Sequence, residues 1–183
     1  MEEARALFAT GWRGYRWPTV REQLARLAGT LPEGRVDLRT ELLARLAAAQ
    51  RHLGDPLGSL GLLRRAEAIV ASPEGRTAVP DGPITYLRQQ AAMTHRQLCR
   101  LPEAAEAAAR SVEVAGRARL RGELVKALGC VGLVALSRGA PRAAVAAFEA
   151  SLDAVVAHDP ERTARTWAYL IEAHALDGGA ATA

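Results

Sequence analysis

The chain alternates between amphipathic helical stretches and short breaks. Small residues stand on both sides of each break, and apolar residues follow at the spacing of three and four that favours a helix. The best-formed copy has Gly132 and Ala135 before the break, Gly139 at it, and Ala144 and Phe148 after it. We therefore expect each copy to be two helices joined by a tight turn.

The breaks recur about every forty residues. From one turn position to the next, the intervals are 39, 45, 40 and 39 residues. A helical hairpin cannot bury its apolar face alone, so repeated hairpins stack on one another. The pattern predicts an all-α solenoid of about four hairpins plus a terminal helix. The turn positions are Tyr15, Gly54, Cys99, Gly139 and Gly178.

Prolines and glycines set the expected boundaries within a single domain over 1–183. Because proline suits the first turn of a helix but not its interior, it marks where helices begin. We expect the segment 72–83, with three prolines, to interrupt the helices, either as an ordered loop or as a flexible segment. The expected hairpins are about 2–28, 37–71, 84–115 and 119–157, and the terminal helix is 160–176.

These motifs resemble the tetratricopeptide repeat. The resemblance rests on the third copy and on the terminal helix, which places Trp167 at the first signature site of the family. The period is near forty rather than about 34, and the second copy has Arg88 where the family has a large apolar residue. Long, degenerate repeats of this kind are similar to those in bacterial transcription and signalling regulators. The matching residues are Leu128, Val131, Gly132, Ala135, Gly139, Ala144, Phe148, Ser151, Trp167, Leu170, Ile171 and His174.

The resemblance implies a right-handed solenoid whose concave face binds a protein or peptide segment without catalysis. In the family, the first helix of each hairpin lines this groove, and Gln89, Met93 and Arg96 fall on one such face. The alternative is that these are solvated helix residues with no ligand. Some family members hold a carboxylate with Lys and Asn, but this chain has no Asn, which leaves arginine-mediated capture of an acidic segment. The groove candidates are Arg45, His52, Gln89, Gln90, Met93, Arg96, Lys126, Arg165 and Tyr169.

The terminal helix has no partner helix after it in the expected hairpin series. An apolar face containing Trp167, Leu170 and Ile171 would then be left uncovered. We expect this face to pair with a second copy of the chain or with a missing C-terminal segment.

The net charge is +4, and Lys126 is the one lysine among 24 basic residues. The arginines either reflect codon usage in a GC-rich genome or serve bidentate recognition of anions. Acidic residues are interspersed with them, which makes nucleic-acid binding unlikely. Trp12, Tyr15 and Trp17 could form an aromatic-basic patch that stacks bases, but capping of the first repeat is the favoured interpretation.

The sequence carries no nucleophile, phosphate-loop or zinc motif, so we expect no catalysis, cofactor or metal. Cys99 and Cys130 do not have the spacing of a metal site or of a redox motif. We therefore expect a protein of a reducing compartment. The acidic N-terminus is unlike a signal peptide, and the longest apolar run, 129–136, is too short to span a bilayer. We expect a cytoplasmic protein with no membrane contact. The alternatives to a scaffold are a sensor module of a longer bacterial regulator and, less favoured, a nucleic-acid binder.

Overall fold

The computed structural model describes residues 2, 6, 16–32, 34–155 and 160–180. Within these ranges, all regular secondary structure is helical. Most of the first expected helix lies outside them. The helices are α1 (Trp17–Thr30), α2 (Val36–His52), α3 (Pro56–Ala71), α4 (Pro73–Ala78), α5 (Asp81–Gln97), α6 (Leu101–Arg117), α7 (Arg121–Ser137), α8 (Pro141–Ala154) and α9 (Pro160–Ala180).

The helices form two layers of a solenoid. Helices α2 and α3, α5 and α6, and α7 and α8 pack as hairpins. The first helices also pack on one another in the order α2, α5, α7 and α9, while α1 packs on α2. The first helices therefore line one face of the array, as expected for stacked hairpins.

The turns inside the hairpins require a left-handed backbone. Gly54 has a φ of 87° and Gly139 a φ of 67°, and Cys99 takes the same region with a φ of 55°. This region costs a non-glycine residue roughly 1–2 kcal/mol. Cys99 therefore has the backbone conformation of the two turn glycines with which the sequence pattern aligns it.

The proline-rich segment 72–83 contains a short helix, α4, instead of only irregular chain. The Ser72 hydroxyl accepts a hydrogen bond from the Gly75 amide at 3.0 Å and so caps this helix. Pro73 lies in the first turn of α4, and Pro83 lies in the first turn of α5. Because both prolines occupy first turns, they start helices here.

Close contacts hold the repeats at fixed spacing. A Cβ atom on Gly132 of α7 would lie 2.4 Å from the ring of Phe148 in α8, so only glycine permits this approach. Between repeats, the hydroxyls of Ser59 and Thr94 lie 3.0 Å apart. Within the hairpin of α7 and α8, Ser151 donates a hydrogen bond to the Val125 carbonyl at 3.1 Å. These contacts fix α5 against α3 and α7 against α8.

The last helix is longer than expected. Helix α9 extends to Ala180, four residues past the predicted end at 176. The predicted turn at Gly178 is therefore wrong, since this residue is helical. A single glycine near a helix end does not by itself stop the helix.

Candidate functional site

The first helices of the repeats enclose a groove of about 810 Å³. Helices α2, α5, α7 and α9 each contribute side chains to it. All nine candidates from the sequence line it: Arg45, His52, Gln89, Gln90, Met93, Arg96, Lys126, Arg165 and Tyr169. Counting from the turns therefore brings these residues together in one place.

Several of the lining cations are held by carboxylates. Arg45 pairs with Glu41 one helical turn earlier at 2.7 Å, and their side chains are 12% and 6% exposed. The Arg45 guanidinium also lies over the Tyr86 ring, 4.9 Å from its centre. Together these contacts keep Arg45 in one position.

The cations on α7 and α9 are paired in the same way. Lys126 lies 2.6 Å from Glu123. Arg165 lies 2.7 Å from Glu161. These two pairs are more exposed than that of Arg45, so each contributes little to stability.

Gln89 connects two repeats. Its amide donates to the Glu123 carbonyl at 3.1 Å and lies 3.2 Å from the Glu123 carboxylate. The residue is only 3% exposed. Gln89 therefore fixes α5 against α7, and this structural role was not apparent from the sequence.

Arg51 is a central lining residue that the sequence analysis missed. It donates to the Gln90 side-chain oxygen at 3.2 Å and lies 3.3 Å from the His52 ring nitrogen. Arg96 reaches the Ser137 hydroxyl at 3.4 Å. The buried Nε–H groups of Arg51 and Arg96 find no hydrogen-bond acceptor among the described residues.

A comparison of equivalent positions in successive repeats could have identified Arg51. It stands three residues before the turn residue Gly54, and Arg96 stands three residues before the turn residue Cys99. The two arginines thus occupy equivalent positions near the C-terminal ends of α2 and α5. The third repeat has Leu136 at this position, so the arrangement is specific to the first two.

Two titratable groups, Tyr86 and Cys130, interact with the charge of Arg51, but neither supplies an anion. Burial lowers the pKa of Arg51, and the positive charge of Arg96 lowers it further. Burial raises the pKa of Cys130 to about 12 and also raises the pKa of Tyr86. Both groups are therefore neutral near pH 7.

His52 is also neutral in the groove. Burial, followed by the charge of Arg51, lowers its pKa to about 4. Its ring stacks on Trp17 with centres 4.3 Å apart. Trp17 is only 6% exposed and so is not free to stack on bases, while Trp12 and Tyr15 lie outside the described residues.

The groove is positively charged. Among its described lining residues, six cationic side chains face three carboxylates, for a net charge of +3. The cations are Arg45, Arg51, Arg96, Lys126, Arg162 and Arg165, and the carboxylates are Glu41, Glu123 and Glu161.

Comparison with solved structures establishes the fold class. Two crystal structures of a putative kinesin light chain from Podosopora anserina, with nearly identical TPR-like repeats, match 97% of this chain. The chain has a TPR-like helical-repeat fold. The TM-scores are 0.66 and 0.67 at 16% identity, and the matches cover 87% and 86% of those chains. No family model and no curated protein matches the sequence.

The TPR-like solenoid leaves part of α9 exposed. Trp167 and Ile171 are 52% and 68% exposed, and Leu176 is 51% exposed. Leu170, which the sequence analysis placed with them, is 5% exposed and packs against Phe148 and its neighbours. It shares the buried helix face with Thr166 and Ala173, at spacings of three and four. The predicted self-association face must therefore exclude Leu170.

The described residues form neither a metal site nor a membrane-spanning helix. In the described part of this TPR-like chain, no group of three or more His, Cys, Asp or Glu side chains is arranged to hold a metal ion. Nor does any described helix combine the length and apolar character needed to cross a bilayer.

Proposed function

We propose that this TPR-like chain binds a segment of another protein, or a peptide, in the concave groove and does so without catalysis. The fold is generally that of a non-enzymatic interaction scaffold. The observation that carries the proposal is a groove lined by inner-face side chains from three successive hairpins and from α9. Its volume is within the usual range of about 300–1,000 Å³ for ligand sites.

The lining favours an acidic segment. Met93, Val125 and Leu133 provide apolar contacts, and the net charge of the lining is +3. Complementary charge speeds encounter with an acidic partner and disfavours basic ones. Arg51 and Arg96 have no carboxylate within ion-pair distance among the described residues, so they add positive charge for an acidic partner.

The test is selection from a displayed library of random peptides, followed by binding of the selected peptides to groove variants. Lys126→Glu and Arg165→Glu reverse two charges in the groove. Arg110→Glu makes the same change on α6, outside the groove. We expect both groove variants to weaken binding by about tenfold or more, and the control to have little effect. Equal binding to all four proteins would place the peptide site elsewhere.

We also propose that the exposed residues of α9 mediate pairing of two copies of the chain. The support is the exposure of Trp167 and Ile171 on one side of the helix. Light scattering at several protein concentrations would detect a dimer that Trp167→Glu and Ile171→Glu convert to a monomer. Ala109→Glu, at an exposed site of α6, is the control. A wild-type monomer at all concentrations would refute this idea.

A further inference from the structure

One wall of the groove has no side chain at its middle. Gly129 lies at the centre of α7 and lines the groove. Apart from its neighbours in α7, no described atom lies within 4 Å of the position that a Cβ atom on Gly129 would take. The wall formed by α7 is therefore bare helix backbone at this point, and the space in front of it is open.

Packing inside the chain does not require this glycine. A Cβ atom on Gly132, less than one turn later, would lie 2.4 Å from the Phe148 ring, so a core contact does require that glycine. Gly129 has no such contact, and glycine weakens a helix interior relative to alanine. Residue 129 thus lowers the stability of α7 without improving any described packing contact.

The preceding repeat has a bridging side chain at the position of Gly129. Gln89 stands ten residues before the turn residue Cys99, and Gly129 stands ten residues before the turn residue Gly139. Gln89 reaches from α5 to α7, where its amide donates to the Glu123 carbonyl at 3.1 Å. Residue 129, being glycine, sends no side chain across the groove toward α9.

The surroundings of this opening are mostly apolar. Val125 and Leu133 line the groove one turn before and one turn after Gly129, on the same face of α7. Tyr169 of α9 also lines the groove and packs in the same apolar cluster as Leu133. Lys126, the cation on this face of α7, already has a carboxylate partner. The opening, called here the Gly129 gap, is bounded by these apolar side chains and favours an uncharged, apolar group.

We propose that the Gly129 gap takes one large apolar side chain, of about the size of leucine, from the acidic segment held in the groove. The net charge of +3 on the lining attracts the acidic residues of that segment. Seating an apolar side chain in the gap removes its surface from water, and any side chain on residue 129 would occupy the same space. Gly129 is thus a specificity-determining residue. The inference rests on the proposed function for its natural ligand, although the gap can be tested separately.

The direct test uses N-acetyl-leucine amide, an uncharged leucine probe, and the full chain. The backbone amide signals of Gly129 and Leu133 are followed by ¹H–¹⁵N NMR during the titration, with N-acetyl-alanine amide as the reference. We expect saturable shifts with the leucine probe and binding weaker by about tenfold or more with the alanine probe. Gly129→Leu should abolish the response of Leu133 to the leucine probe.

Gly61 provides the matched control for these substitutions. It lies inside α3, is exposed, has the same open space at its Cβ position and lies outside the groove. Gly61→Leu should therefore leave the response of Leu133 unchanged. The proposal is overturned if the leucine probe gives no saturable shift, if the alanine probe binds equally well, or if Gly61→Leu weakens binding as much as Gly129→Leu.

Alanine at residue 129 separates a binding role from a structural one. Gly129→Ala and Gly61→Ala each add a Cβ atom in open space within a helix, so each should raise Tm by about 2 °C. Only Gly129→Ala should weaken the leucine probe, by about fivefold, because its methyl group takes up part of the gap. A lower Tm for Gly129→Ala would show that the fold requires this glycine and would contradict the proposal.

Peptides selected from the random library identify the apolar residue that enters the gap. Replacing that residue by alanine should weaken binding to wild type by about tenfold or more. It should have little effect on binding to Gly129→Leu, whose own side chain fills the gap. Equal losses with both proteins would place the residue elsewhere in the groove and contradict the proposal.

The two arms also separate this inference from the proposed function. If the leucine probe gives no saturable shift while Lys126→Glu still weakens peptide binding, the gap is refuted and the peptide groove stands. If the probe saturates the gap but no peptide is selected, the gap stands and the proposed function fails.

Discussion

Arg45 and Arg51 lie on the same helix and line the same groove, yet their surroundings differ. Arg45 has a buried carboxylate at 2.7 Å and an aromatic ring beneath it. Among the described residues, Arg51 contacts only neutral acceptors, and its Nε–H has no acceptor. The first arrangement stabilises the fold, whereas the second leaves a cation with no carboxylate partner among those residues. Hydrogen-bond donors that lack an acceptor in this way are expected at functional sites.

The largest expected effect is on the paired arginine. Arg45→Met removes the guanidinium that pairs with the buried Glu41 carboxylate, and loss of one member of a buried pair is strongly destabilising. We expect the free energy of unfolding to fall by about 3–5 kcal/mol, measured by urea denaturation. Adding Glu41→Leu should recover most of this loss. A change below about 0.5 kcal/mol would show that Arg45 is no better anchored than an exposed residue.

The same substitution at Arg51 should behave differently. Arg51→Met removes a charge that has no carboxylate partner among the described residues, and it keeps an unbranched side chain of similar length. We expect stability to stay the same or to rise by about 1 kcal/mol, again from urea denaturation. A loss similar to that of Arg45→Met would mean that Arg51 has a structural role, and the contrast between the two arginines would disappear.

The coupling between Arg51 and Arg96 sharpens the contrast further. Because their charges repel, removing either one should relieve the other. In a double-mutant cycle of Arg51→Met and Arg96→Met, we expect an interaction energy of about 0.3–1 kcal/mol with the sign of repulsion. The cycle of Arg45→Met and Arg96→Met should give a smaller value. Zero coupling in the first cycle would contradict repulsion between the two guanidinium groups.

The last expected effect is on pH dependence. The pKa of His52 is about 4 in the folded chain and near 6.5 when unfolded. Below pH 6.5 the unfolded chain binds this proton and the folded chain does not, so stability falls as the pH drops from 6.5 to about 4. His52→Gln should flatten this part of the curve. Arg51→Met should raise the pKa of His52, as measured by NMR titration, because it removes a neighbouring positive charge. An unchanged pKa would contradict this assignment.

The fold and the groove followed closely from the sequence because both depend on short-range pattern. The spacing of small residues about the turns located the hairpins. One of these small residues, Gly132, lies so close to the Phe148 ring that the structure leaves no room for a side chain there. Counting back from Gly54, Cys99 and Gly139 then identified seven of the nine candidate residues that line the groove.

Other features depended on three-dimensional context that the pattern does not contain. The spacing of apolar residues in α9 does not say which face meets α8, so Leu170 was grouped with the exposed residues. The prolines near Pro73 suggested irregular chain, although a serine cap and first-turn positions allow a short helix. The sequence prediction included His52 but not the adjacent Arg51. A sequence does not show which arginines have a carboxylate within ion-pair distance, so it could not distinguish Arg51 from Arg45.

The most direct test of the account is the dissociation constant of one selected acidic peptide for Arg51→Met, measured by calorimetry beside wild type and Arg110→Met. The account predicts binding weakened by about tenfold or more in a variant that is as stable as wild type, and unchanged binding for Arg110→Met. Wild-type affinity in a fully folded Arg51→Met protein would contradict it.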